Sequence, residues 1–154
     1  MGQVGWLQRI SKETFVEIEK EKRFPQGEEV LEMVDVDKLW EHIMFTFGGG
    51  KLGLEPTVYL FMPTEMIVTY EDQYMKEGIR YHTSDKVKEL YQFMSSKSTD
   101  DWIAATDMDE INRKAAYTLD GDYILEMKSY MNSIVEMFKR ASDNDEIIIG
   151  RAGY

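Results

Sequence analysis

The chain has 154 residues, 18 lysines plus arginines against 29 aspartates plus glutamates, a formal net charge of −11, and no cysteine. That length can bury a core in one domain without covalent staples, and the missing thiols exclude disulfides, thiolate metal sites and cysteine nucleophiles. The acidic balance, with no basic stripe interleaved with aromatics, argues against nucleic acid and anionic membrane surfaces as partners.

Taken in order, "MGQVGWLQRI" is too short for a helix and fits an opening strand, with Val4 and Trp6 on one side and Leu7 on the other. Its start shows no basic segment leading into an apolar one, and no run reaches the roughly eighteen apolar residues of a membrane span, so a soluble cytoplasmic protein is expected. Ser11 then stands as N-cap before "KETFVEIEKEK", where Phe15, Ile18 and Lys22 keep helical spacing. Pro25 and Gly27 end that helix. In "VDVDKLWEHIMFTF", Leu39, Trp40, Ile43, Met44 and Phe47 share one helical face, with Asp35 or Asp37 as the expected cap. His42 lies roughly 135° from the centre of that stripe and is expected to face solvent.

Residues 54–83 lack helical period and carry prolines, β-branched residues and aromatics, so they read as short strands or irregular chain, "IRYHT" being the clearest strand. "SDKVKELYQFMSS" is an amphipathic helix capped by Ser84 and buried through Val87, Leu90, Tyr91 and Met94. "STDDWIAATDMDEINRKAAY" divides into two short helical pieces. The last segment is the most regular: Tyr123, Met127, Tyr130, Met131, Ile134, Phe138 and Ala141 make one long apolar stripe, "SDND" turns the chain, and "EIIIG" closes as a buried strand.

Gly48, Gly50 and Gly53 in "FTFGGGKLGLEP" spell G-x-G-x-x-G. A dinucleotide fingerprint needs a strand before the first glycine and a helix opening at the last, because the helix N-terminus holds the pyrophosphate. Here a helix precedes and Pro56 follows, and Lys51 is followed by Leu52 where a phosphate loop needs Ser or Thr. The run therefore reads as a helix stop, with Gly48 or Gly49 in the left-handed conformation, and no cofactor is expected.

Chemistry-bearing residues are few. Only His42 and His82 could serve a serine nucleophile, and no G-x-S-x-G elbow accompanies them. The acids Asp100, Asp101, Asp107, Asp109, Glu110, Asp120 and Asp122 miss the calcium-loop spacing and suit helix N-termini instead, so no metal is expected. The 11 methionines mostly follow the apolar stripes and read as core.

The "MG" leading through a strand to "RIS", the tryptophan helix in "VDVDKLWEHIMF", the strand-to-helix passage "GIRYHTSDKVKEL", and the long last helix before "EIIIG" occur in the order seen in the YfbM-like family, which the chain resembles. That resemblance spans nearly the whole chain. It implies an α+β fold with helices packed on a small sheet, no established activity and no defined catalytic residues. Family members commonly carry a histidine where this chain has Met44, and a threonine-glycine end where it has Gly48 and Gly49.

These readings give one α+β domain over residues 1–154: amphipathic helices on a small mixed sheet, with a long C-terminal helix before a final strand. The expected function is that of a non-catalytic, acidic protein-interaction module, in one variant an immunity-type protein, with a basic protein as partner. The alternative is a small-ligand binder or hydrolase with a pocket near Trp40, Tyr81 and His82.

Overall fold

The computed structural model describes residues 4–51, 55–69, 78–116 and 118–153. β1 (Val4–Ile10) pairs with β2 (Val30–Asp37) on one side and β5 (Ile147–Gly153) on the other; β5 pairs with β4 (Gly78–His82), and β4 with β3 (Glu65–Val68). The sheet order is β2-β1-β5-β4-β3, and every pairing is antiparallel where a mixed sheet was expected. The first hairpin shows why. Helix α1 (Lys12–Glu21) leaves and returns at the same end of the sheet, since Ile10 and Val30 are cross-strand partners, so β2 must run back along β1.

The sheet has two covered faces. Leu7, Val34, Val36 and Ile148 point into the larger core, where they meet α2 (Trp40–Thr46), α3 (Ser84–Met94) and α6 (Ile124–Asp143), with Trp102 of α4 (Thr99–Ala104) at its edge. On the other face Ile10, Ile67, Ile79, Ile147 and Ile149 pack with Ile18 of α1. Alternating Ile147, Ile148 and Ile149 therefore serve both cores. That is why β5 is a continuous apolar run and not an alternating one. α5 (Met108–Lys114) closes the side of α2.

The α6 stripe is as expected, with Met127, Met131, Ile134, Phe138 and Ala141 fully buried. Met94 and Met137 are core residues too, so the thioethers fill space between helices. Ser11 caps α1 by accepting from Thr14 N at 3.0 Å. Two caps differ from expectation. Thr83, one residue before Ser84, caps α3 by accepting from Lys86 N at 3.2 Å. Neither Asp35 nor Asp37 caps α2: β2 runs on to Asp37, and Asp35 Oδ1 instead accepts from Asp37 N at 2.9 Å at the end of that strand.

The glycine run ends α2. Gly50 N reaches Phe45 O and Gly49 N reaches Thr46 O, both at 2.9 Å, with Gly49 at φ 66° and Gly50 at φ 84°. This is the paired-bond stop in which a left-handed residue satisfies the last carbonyls. Gly49, and not Gly48, is the residue that turns. Gly53 lies outside the described residues, as do the first two residues of the "MG" start.

Gly5 sets how closely α2 can sit on β1: a Cβ there would lie 2.4 Å from Trp40 Cβ. Gly5→Ala is expected to cost about 1–3 kcal/mol through overpacking, and Ile148→Ala about 2–5 kcal/mol through the cavity it leaves. Leu125→Ala, at a position 76% exposed, is expected to stay within about 0.5 kcal/mol of the parent. Urea denaturation of the three variants checks the ranking.

Candidate functional site

The three residues expected near a pocket are not gathered around one. Tyr81 and His82 are neighbours on β4 and so point to opposite faces of the sheet. Tyr81 packs on Phe15 of α1, ring centroids 4.7 Å apart. His82 is 2% exposed, lies edge-on to Phe138 at 6.1 Å, and its Nε2–H donates to Leu60 O at 2.9 Å. Trp40 is buried in the larger core against Gly5. His82 and Trp40 thus share a core, and none of the three borders either concavity described below.

Burial dominates the chemistry of His82. Removing the imidazolium from water pushes its pKa down to about 4, against a smaller upward pull from the Leu60 carbonyl. At neutral pH it is an uncharged donor tying β4 to the chain at Leu60.

His42 is fully buried, against the expectation that it faces solvent. The imidazole does lie off the Trp40–Ile43–Phe47 stripe. The other side of α2 is covered as well, by α5 and by Leu119 and Tyr123, whose ring stands 5.2 Å from the imidazole. Asn112 fixes the tautomer. Its amide exchanges two hydrogen bonds with Leu119, donating from Nδ2 to Leu119 O at 2.9 Å and accepting at Oδ1 from Leu119 N at 2.8 Å. Oδ1 therefore faces His42 Nε2 at 3.0 Å as an acceptor, so Nε2 carries the proton. Nδ1 is left as a buried lone pair with no hydrogen-bond partner among the described residues. Burial lowers this pKa also, partly offset by Asn112. Adding a proton would create a second buried N–H with nothing to receive it.

The larger concavity lies elsewhere. β4 and β5 pair only at Tyr81–Ile149 and His82–Ile148, while β5 runs on to Gly153 and β4 begins at Gly78. The two strands diverge, and a cavity of about 510 Å³ occupies the fork. Gly78, Ile79 and Arg80 form one branch and Ile149 to Ala152 the other. Trp6 and Phe24 wall one side, and Val58, Tyr59, Met62, Thr64 and Met66 the other. Arg80 Nη1 donates to Pro63 O at 3.1 Å, which holds the guanidinium beside the opening.

A smaller concavity, about 250 Å³, sits between the end of β2 and the start of α6. Asp37, Asp120, Asp122 and Glu126 line it around Tyr123, with Lys38 as its cationic residue. Among the described residues no three potential ligands gather closely enough to hold a metal ion. No helix among them is long and apolar enough to cross a membrane.

A family model described as a domain of unknown function (DUF1877) matches residues 1–150. No curated protein matches the chain. Among solved structures it is similar to YfbM from Escherichia coli, a protein of unknown function, with a TM-score of 0.64 and 9% sequence identity over 98% of this chain and 99% of that one. At that identity the likeness is one of fold.

The buried histidines make stability depend on pH. Above the ordinary value of 6.5, His82 is neutral in both states; below it the unfolded chain takes up a proton that the folded chain refuses until about pH 4. Stability is thus complete above pH 6.5 and falls as pH falls, by roughly 3 kcal/mol across the interval from His82. His42 acts in the same direction. Urea denaturation at pH 7 and pH 5 is expected to show a drop of roughly 2 kcal/mol from His82, and His82→Gln is expected to remove that share of the slope while lowering stability at pH 7.

Proposed function

The chain belongs to the DUF1877 family, a domain of unknown function, and we propose that it is a non-catalytic protein binding a small, largely apolar molecule in the fork between β4 and β5. The concavity there carries the reading: about 510 Å³, within the range of small-molecule sites, walled by Trp6, Phe24, Tyr59, Met62 and Met66 with a few polar groups at its margin. The thioethers suit an adaptable wall. The non-catalytic part is supported by the absence of thiols and by the placing of both imidazoles in the interior as neutral groups. A cytoplasmic location, which the cysteine-free composition suits, belongs to the same proposal.

N-phenyl-1-naphthylamine, an uncharged probe that fluoresces when taken out of water, is expected to bind saturably at one site per chain. Trp6→Ala removes one wall and is expected to weaken that binding about tenfold while leaving the far-ultraviolet circular dichroism intact. Equal binding by parent and variant would sink this assignment.

The acidic concavity favours a second reading, in which a basic protein docks at Asp37, Asp120, Asp122 and Glu126. Four carboxylates around one hollow give a cationic side chain a place to enter. Immobilised protein is expected to retain such a partner at low salt and release it at high salt. Replacing Asp120, Asp122 and Glu126 by their amides is expected to abolish the capture; capture that survives the triple change rules this reading out.

A further inference from the structure

We infer that the occupant of the β4–β5 fork carries one carboxylate on its apolar body, and that Arg80 is the residue that recognises it. The inference rests on the pocket reading above and adds the charge of the ligand. Its basis is the pairing of the arginines. Arg9 is held by Glu32 and Glu146, Arg23 by Glu17, Glu21 and Glu29, and Arg140 by Glu32 and Glu136. In a chain with 29 carboxylates against 18 cationic side chains, an arginine near any acidic neighbour finds one.

Arg80 has no carboxylate partner among the described residues. Its one hydrogen bond there is from Nη1 to the Pro63 carbonyl. Arg113 also lacks an acidic partner, but it stands in the last turn of α5, where the helix dipole favours a cation. Arg80 has no such explanation: it is on a strand, beside the 510 Å³ concavity, pinned by one N–H, and the rest of its fork meets no partner among the described residues. A planar guanidinium held by one arm presents its remaining donors as a pair, which is the geometry that takes a carboxylate in two parallel hydrogen bonds.

The rest of the lining limits the anion. Arg151 borders the same hollow but is already engaged in an interaction of its own, and among the described residues no lysine lines it. One unmatched cation among the described lining residues suits a singly charged head and not a multiply charged phosphate ester. Trp6, Phe24 and Met62 then receive the apolar body. The overall charge of −11 repels anions at a distance, so this recognition depends on contact with Arg80.

The test uses two probes of nearly equal shape, 1-naphthylacetate and its uncharged amide 1-naphthylacetamide, titrated calorimetrically into the full-length protein at pH 7. The parent is expected to bind the carboxylate about tenfold more tightly than the amide, and Arg80→Gln to lose that factor while its affinity for the amide stays within about twofold. Equal affinity for the two probes in the parent, or an undiminished preference in Arg80→Gln, overturns the carboxylate assignment and leaves the apolar pocket standing. Binding of neither probe by the parent removes the pocket and this inference together.

Discussion

Burial of β5 on both faces is the constraint on which the rest of this structure depends. A strand reading Ile-Ile-Ile at the centre of a sheet needs apolar cover above and below, and the chain supplies that cover unequally. One face receives α2, α3 and the twenty-residue α6; the other receives α1, ten residues long. A helix of that length spans about 15 Å, while five strands span about 19 Å from first to last. Helix α1 covers the middle of its face through Phe15 and Ile18. Toward the ends of β1 and β5 it runs out, and Trp6, Phe24 and the 58–66 segment stand around the uncovered ground. The fork pocket opens where this thin cover meets the end of the β4–β5 pairing.

Ion pairs join the ends of several of these elements. Arg9 on β1 is largely buried and bonds Glu146 at 2.6 Å and Glu32 at 3.1 Å; Glu32 also receives Arg140 of α6. Strand β2, strand β1, the entry to β5 and the end of α6 are joined through two guanidiniums and two carboxylates. Removing a single member leaves a partly buried charge unmatched, which is where such networks are costly to disturb. Asp145 does a lighter version of the task between Lys12 and Lys88. The hydrogen bond from Lys12, then that from Lys88, holds its carboxyl down to about 2. Being solvated, it adds little to stability. The arginine and lysine side chains near acidic neighbours are thereby spent on structure, whereas Arg80 at the fork has no carboxylate partner among the described residues.

The long-period features were legible in the sequence because they depend on local spacing. The α6 stripe, the α1 cap at Ser11, the two short helices after residue 98, and β5 all rest on residues within a few turns of each other. β2 was not separated from the helix that follows it, although "VLEMVDVD" alternates: only Val34 and Val36 are buried, because β2 is an edge strand, and the tryptophan stripe dominates the window. His42 was placed in solvent because one amphipathic face was counted, whereas α2 is enclosed by α5 and Leu119, more than sixty residues downstream. The fork was beyond reach for the same reason. Its walls come from residues near 6, 24, 60, 80 and 150, and nothing in the spacing of any one segment records that two strands stop pairing.

The likeness to the E. coli protein bears on which of these features belong to the fold and which to this chain. With nine per cent identity across nearly the full length of both, the likeness is one of architecture. Burying one face of a strand needs residues of a kind, at a period, and many sequences supply them. A binding site needs a named group at a position. The order of the strands and the helices on them is therefore a property of the architecture. Trp6, Met62 and Arg80 are properties of this sequence. The proposal for the fork therefore rests on this chain's own chemistry and not on the shape it shares.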